Sequence, residues 1–356
     1  MASGTVINVR FTGLASAVPR GRQAVEAGSG ISAEELAKVT ANTGVRQRHV
    51  APADVCTSDL CHAAAERLLG ELGWAKDSVD LLVFVSQTPD YVLPATSCVL
   101  HGRLGLSKGC AAFDISLGCS GYVYALNIVG NMVGSGAYRR ALLLVGDTIS
   151  KVISREDRSV AYLFGDAGTA TTLEHMVGAA PMTFELGTDG SGWEHLRIPA
   201  GGFRHRPSAE SALVKSREPG NARADDHLFM NGAEIFNFTL REIPGLMNRL
   251  LERAGWSDES VDWWVMHQAN RFMLDYLTKR MKLPTNKAVV ALENHGNTSS
   301  ASIPLAMSHK LRETIAGPGQ TRLVLAGFGV GFSWAAATVT LDKVVAPPVI
   351  EVTLPS

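Results

Sequence analysis

LLGELGWAKDSVDLLVFVSQ runs from Leu68 to Gln87, and LLERAGWSDESVDWWVMHQA runs from Leu250 to Ala269. Laid over one another without a gap (250 on 68, an offset of 182), they share Leu68/Leu250, Leu69/Leu251, Gly73/Gly255, Trp74/Trp256, Ser78/Ser260, Val79/Val261, Asp80/Asp262 and Val83/Val265. The same offset sets RALLLVG from Arg140 against RLVLAGF from Arg322. A Gly-rich turn and a small-residue strand follow each, GDAGTATTLE in one case and GFSWAAATVTL in the other. One long unit present twice points to two related halves, not to a solenoid of many short repeats.

Each half alternates helices and strands. Residues 58–72 place Leu60, Ala64, Leu68 and Leu72 at helical spacing, with Ser58 as N-cap. Residues 80–85 are an apolar run too short for a helix and read as a buried strand. Helix 119–134 and strand 141–146 follow. The second half predicts helix 233–254, strand 262–266, helices 270–281 and 298–315, and strand 321–326. At the amino end, Val6, Ile7, Val9 and Phe11 around Asn8 and Arg10 read as one strand. This alternation predicts an α/β fold with mixed sheets covered by helices. The boundaries expected are 1–180 and 181–356, with a polar insertion at 199–226 that reads as a solvated flap or a binding element.

The composition narrows the function classes. At 46% hydrophobic and 19% charged residues the chain is globular with a large core, and a net charge of -1 gives no support for nucleic-acid binding or a membrane surface. Its longest apolar runs are strand-sized, so no membrane span is expected, and no signal-peptide layout precedes the first strand. Cys56, Cys61, Cys98, Cys110 and Cys119 are odd in number and lack C-x-x-C spacing. Disulfides and zinc are therefore not expected, and a reducing cytoplasm is.

Three residues stand at strand-to-helix junctions. Cys119 lies in FDISLGCSGYVYALNIV, where a helix tip would favour its thiolate and lower its pKa by about one unit or more. The same pattern also fits a buried structural cysteine. His267 ends the strand DWWVM, at the edge where α/β sheets place ligands, or it is a satisfied structural histidine. Asn297 follows ALENHG and precedes helix SSASIPLAM, as a functional amide or an N-cap. Gly327-Phe328-Gly329-Val330-Gly331 fails as a dinucleotide fingerprint because a strand follows it, so a loop aimed at an oxyanion is the alternative. The duplication sets the helices after Cys119 and Asn297 in equivalent places. A pseudo-twofold packing would bring both tips, and His267, into one pocket.

Together these segments resemble the thiolase-fold condensing enzymes, and among them the β-ketoacyl-acyl carrier protein synthase III group. The resemblance rests on TGVRQRHV (Thr43–Val50), the Cys119 segment, FGDAGTA (Phe164–Ala170), PAGG (Pro199–Gly202), HQANR (His267–Arg271), NHGNTSSAS (Asn294–Ser302) and GFGVGFSW (Gly327–Trp334). It implies two five-stranded halves layered αβαβα, and a homodimeric acyltransferase with catalytic Cys119, His267 and Asn297. The backbone N–H groups of Cys119 and Val330 would form the oxyanion hole. Leu93 would enter the acyl pocket of a second subunit. Arg158, Arg271, Lys279 and Arg280 would meet coenzyme A or acyl carrier protein, although Lys279 and Arg280 also suit a solvated helix face. No permanently bound cofactor is implied: thioesters of coenzyme A or the carrier protein are substrates. The expected reaction is a decarboxylating condensation in fatty acid or secondary metabolism. The alternatives are an acyltransferase or specialised ketosynthase of the same fold moving an acyl unit to another acceptor and, from another class, a non-catalytic partner subunit. Lys38 and Asn42 replace the Trp and Arg that hold adenine in the best-known members, and Leu93 replaces a Phe.

Overall fold

A computed structural model describes residues 2–25, 32–218 and 220–353. Two mixed sheets form its frame. The first runs in the order Ile350–Val352, Val9–Pro19, Ala167–His175, Arg140–Asp147, Leu81–Val85, Ala111–Ile115. The second runs Ala2–Val6, Met182–Thr188, Ser333–Asp342, Gln320–Gly329, Trp263–Met266. Pairing repeats the sequence duplication. Leu81–Val85 is parallel to Arg140–Asp147, as Trp263–Met266 is parallel to Gln320–Gly329, and each longer strand then pairs antiparallel with the next. Ala288 bridges Trp264 in parallel where the first sheet has Ala111–Ile115.

The alternation of side chains across each strand builds the layers. Leu81, Val83 and Val85 face a central core shared with Val265, Leu323 and Leu325. Leu82 and Phe84 face an outer helix layer, and Trp264, Met266 and Val324 face the other. Helices Gly121–Gly134 and Ser302–Lys310 lie in the central layer, contributing Tyr122, Leu126, Val129, Ile303 and Met307. Helices Thr57–Leu72 and Gly232–Ala254 cover the outer faces. This is the αβαβα arrangement.

The termini depart from the expected halves. The single strand expected around Val6–Phe11 is two strands, broken at Asn8, whose φ of 60° turns the chain. Ala2–Val6 therefore joins the second sheet, antiparallel to Met182–Thr188, while Ile350–Val352 joins the first. The boundary at 180 thus follows the sequence repeat but not the sheets. The first sheet has six strands, not five. The expected helix 298–315 is also split. A short 3-10 turn at Ser299–Ala301 leads into Ser302–Lys310, and Leu311, at φ -112° and ψ 7°, separates Arg312–Ala316. Ser58 does not cap its helix. Cys56 occupies the N-cap position, Asp59 accepts its backbone N–H at 2.7 Å, and Ser58 donates to Asp90 instead.

The insertion is pinned to the body at Asn221–Arg223, whereas residues 201–210 are exposed throughout, as a solvated segment would be. Asp157 bridges Asn221, Ala222 N–H donates to Glu156 O at 3.1 Å, and Leu228 N–H donates to Val152 O at 2.7 Å. Arg223, 8% exposed, donates to the fully buried Asp157 at 3.0 Å and to Glu218. A buried carboxylate at this depth needs such a partner, and the insertion supplies it.

Candidate active site

Cys119 sits directly before Ser120, the N-cap of helix Gly121–Gly134, on the elbow that follows strand Ala111–Ile115. Strand Gln320–Gly329 runs directly against that elbow. A Cβ at Gly327 would lie 2.7 Å from Cys119 O, and one at Gly329 would lie 2.8 Å from Cys119 Sγ. Glycine is required here by close approach. The backbone N–H groups of Val330 and of Cys119 itself lie near enough to Cys119 Sγ to favour its thiolate. Ser333 Oγ donates to Val330 O at 3.0 Å and pairs with Ser120 Oγ at 2.6 Å, tying the two loops together. The tight turns fall on Gly329, Gly331 and Phe332, so Val330 itself carries no positive φ.

His267 extends strand Trp263–Met266, its N–H donating to Ala326 O at 2.7 Å. The side chain is 2% exposed, stands edge-on to Phe328, and pairs through Nδ1 with Ser302 Oγ at 2.6 Å. Asn297 is held by a parallel bridge to Phe164, through Asn297 N–H to Leu163 O at 2.9 Å and Gly165 N–H to Asn297 O at 3.0 Å. Its Oδ1 accepts Ser299 N–H at 2.9 Å and its Nδ2 donates to Ala269 O at 3.2 Å. One Nδ2 hydrogen remains for a ligand.

Cys119, His267 and Asn297 line a single narrow cavity of about 60 Å³, with Leu163, Phe164, Met230, Ile235, Met273 and Phe328 as its apolar walls. Leu163, Met230 and Asn270 also line a wider vestibule of about 270 Å³, bordered by Asn42, Thr43, Ser159 and Phe272. The pocket expected from the duplication therefore exists.

Electrostatics differ from expectation at the sulfur. Burial pushes the Cys119 thiol up to about 11; Val330 N–H opposes this, the nearby Asp147 charge adds to it, and Cys119 N–H and Ser299 oppose it. The helix tip is present, but loss of water around a fully enclosed sulfur outweighs it. Burial drives the His267 pKa down to about 3 and keeps the ring neutral. Asp147, raised by burial, was not read from the sequence. It accepts from Ser86 Oγ, Gln87 N–H and Ser300 N–H and Oγ, clamping the loop after Asn297 to the first half. An acidic residue ending the apolar run RALLLVGD was the signal available. Ser302, five residues after Asn297, ends the motif NHGNTSSAS and has no separate signal in the sequence.

The remaining site residues scatter. Leu93 lies outside this cavity at 77% exposure, beside exposed Tyr91 and Val92. Arg158 lies 3.6 Å from Glu35, and its N–H donates to Asn221 Oδ1. Arg271 bonds Asp275 at 2.7 Å and lines a separate cavity under helix Ala33–Thr43. Lys279 and Arg280 are exposed in the last turn of helix Arg271–Arg280. Lys38 pairs with Glu34 at 2.8 Å and does not border the vestibule. No cluster suited to a metal occurs among the described residues.

Residues 113–190 match the family profile described as 3-oxoacyl-[acyl-carrier-protein (ACP)] synthase III, and 251–341 match its C-terminal counterpart. The β-ketoacyl-[acyl-carrier-protein] synthase III of Desulfitobacterium hafniense (strain Y51) is 35% identical over 306 residues, covering 86% of this chain and 89% of that protein. The chain belongs to the β-ketoacyl-acyl carrier protein synthase III family. The solved 3-oxoacyl-(acyl-carrier protein) synthase of Burkholderia xenovorans LB400 superposes with a TM-score of 0.93 at 42% identity, covering 99% of both chains. The priming β-ketosynthase from the R1128 polyketide biosynthetic pathway superposes at 0.77 with 26% identity, covering 96% of this chain and 98% of that one. Thiolase-fold membership thus joins the sequence repeat to the paired sheets.

Proposed function

We propose that this chain condenses an acyl thioester with a malonyl-type thioester, with loss of carbon dioxide, to give a β-keto thioester. The observation that carries the reading is one cavity lined by Cys119, His267 and Asn297, with the N–H groups of Val330 and Cys119 near the sulfur. Membership of the synthase III family supports it.

Cys119 attacks the acyl carbonyl, the leaving thiolate takes up the thiol proton, and an acyl-Cys119 thioester remains. During addition the carbonyl oxygen gathers negative charge, which the Cys119 and Val330 N–H groups stabilise. A donor of this type contributes about 3 kcal/mol to a transition state. The malonyl thioester then enters. Its C–C bond to the carboxylate breaks, carbon dioxide leaves, and the electron pair forms an enolate whose oxygen accepts hydrogen bonds from His267 and Asn297. The enolate carbon attacks the acyl carbonyl, and the tetrahedral adduct expels Cys119 thiolate, which regains a proton. Neutral His267 and Asn297 suit this step as donors, since a cationic ring would need a pKa near neutrality.

Tyr91, Val92 and Leu93 are consecutive, apolar and 61%, 76% and 77% exposed, which supports a homodimer covering them. There Leu93 would close the acyl slot of a second copy. Acyl carrier protein is the expected macromolecular partner at Arg271, Lys279 and Arg280, with Arg158 toward coenzyme A. Five free thiols fit a reducing cytoplasm, and among the described residues no helix is long and apolar enough to cross a membrane. Acyl transfer to an oxygen or nitrogen acceptor is the second reading, favoured by a vestibule bordered by Phe272 and not by Lys38. Product analysis with acyl and malonyl thioesters, alone and with added alcohol or amine acceptors, decides between them. A β-keto thioester supports condensation, whereas ester or amide without carbon dioxide supports transfer.

A further inference from the structure

His267 can hydrogen-bond an enolate oxygen only if its neutral ring carries hydrogen on Nε2. Burial settles that the ring is neutral but not which nitrogen is protonated. The contacts around Ser302 bear on that choice. Ser302 Oγ has two hydrogen-bond partners among the described residues, His267 Nδ1 at 2.6 Å and the backbone N–H of Gln268 at 3.3 Å. An amide N–H can only donate, so Gln268 fills a lone pair of Oγ. The hydroxyl hydrogen then has a single acceptor in reach, Nδ1. Nδ1–H could donate into the second lone pair of Oγ, but the buried hydroxyl hydrogen would then have no acceptor; satisfying it puts the bare nitrogen at Nδ1 and the ring hydrogen on Nε2.

The surroundings make this arrangement rigid. Gln268 is 2% exposed; its Nε2 donates to Met266 O at 2.7 Å and Val289 O at 3.2 Å, and its Oε1 accepts Ala291 N–H at 2.8 Å. Its backbone N–H is therefore fixed relative to the strand that carries His267. Ser302, also 2% exposed, opens the central-layer helix Ser302–Lys310, and its own N–H donates to Ser299 O. The helix that begins beyond Asn297 thus reaches back to the second member of the site.

We propose that Ser302 is a positioning residue that holds His267 in the Nε2-protonated tautomer required for enolate stabilisation. The inference rests on the condensation reading. It makes a further claim, that the two half-reactions respond differently to loss of this hydroxyl. Cys119 acylation does not use His267 as a donor, whereas malonyl decarboxylation does.

The test uses the full chain and three variants. Ser302→Ala should lower the rate of carbon dioxide release from malonyl-coenzyme A about tenfold, the worth of one buried hydrogen bond. Acetylation of Cys119 by acetyl-coenzyme A, read by intact-protein mass, should stay near wild type, which also reports folding. Ser302→Thr keeps the hydroxyl and should recover most of the rate. Independently, nitrogen-15 spectra of histidine-labelled wild type, with His267→Asn to assign the signal, should show a bare Nδ1 and a protonated Nε2. A protonated Nδ1 in wild type, or equal losses in both half-reactions of Ser302→Ala, would overturn the inference. Wild type that fails to decarboxylate any malonyl thioester would instead overturn the condensation reading, and the spectra would still test Ser302.

Discussion

Replacing Asn297 by alanine should separate the two halves of the reaction. The side chain has one Nδ2 hydrogen engaged with Ala269 O at 3.2 Å and one left for the substrate. Loss of that donor at a developing enolate costs about 3 kcal/mol, or about a hundredfold in decarboxylation. The same change strips Ser299 N–H of its acceptor at 2.9 Å, and Ser299 is only 3% exposed. An orphaned buried donor costs about 1–3 kcal/mol of stability, which for a chain of this size lowers Tm by about 1–4 °C. Carbon dioxide release from malonyl-coenzyme A measures the first effect, acyl adduct formation on Cys119 the control, and a thermal scan the second. Decarboxylation should fall about a hundredfold with acylation nearly intact. Asn297→Asp keeps an acceptor for Ser299 N–H while removing the donor, so it should lose decarboxylation with a smaller Tm change. Acylation and decarboxylation falling together would mean that Asn297 merely supports the pocket, and the assignment would fail.

Three further outcomes follow from the buried titratable groups. Because His267 is held down to about 3, decarboxylation should show no loss of rate from this ring as pH falls from 8 to 5, and an inflection near 6.5 that disappears in His267→Asn would contradict the buried neutral ring. Cys119 at about 11 should be alkylated by iodoacetamide about tenfold faster per pH unit from 7 to 9.5, whereas a plateau near pH 8 would mean that the helix tip outweighs burial. His295 is also pushed down to about 3, mainly by burial, with His309, His49, Lys310 and Arg22 adding to it, and neither of its ring nitrogens has a hydrogen-bond partner among the described residues. Its unfolded form binds a proton below about pH 6.5 that the folded form refuses, so its stability contribution is full above that value and is lost as pH falls toward 3. At pH 5 the loss is about 2 kcal/mol, and His295→Phe should narrow the Tm gap between pH 7.5 and 5 by about 2–3 °C. Asp166, raised to about 6, works in the opposite direction, so the variant must be compared with wild type and not with a fixed value. An unchanged gap would refute the assignment.

The fold was legible because duplication left Leu68–Val83 and Leu250–Val265 alike, and a continuous apolar run such as Leu81–Val85 suits a strand with parallel neighbours on both sides. The swap of terminal strands was not legible. Val6, Ile7, Val9 and Phe11 keep a strand-like pattern through Asn8, and only the backbone turn there sends the two pieces to different sheets. Cys119, His267 and Asn297 could be found because each stands where an apolar run meets a helix tip, and the repeat puts those tips face to face. Their support could not be found in the same way. Asp147 and Ser302 act across sequence separations of 153 and 35 residues, which no local spacing encodes. The anchoring of the insertion was not legible because its cations are visible in sequence, while the buried carboxylate that receives Arg223 is not.

The most direct test is a single-turnover experiment on enzyme whose Cys119 carries an acyl group. Malonyl-coenzyme A is added, and intact-protein mass and carbon dioxide are followed together. Disappearance of the acyl mass in step with carbon dioxide release and β-keto thioester formation, with both slowed in His267→Asn and Asn297→Ala, is the result expected here. An acyl group that stays on Cys119, or that leaves by hydrolysis without carbon dioxide, would contradict it.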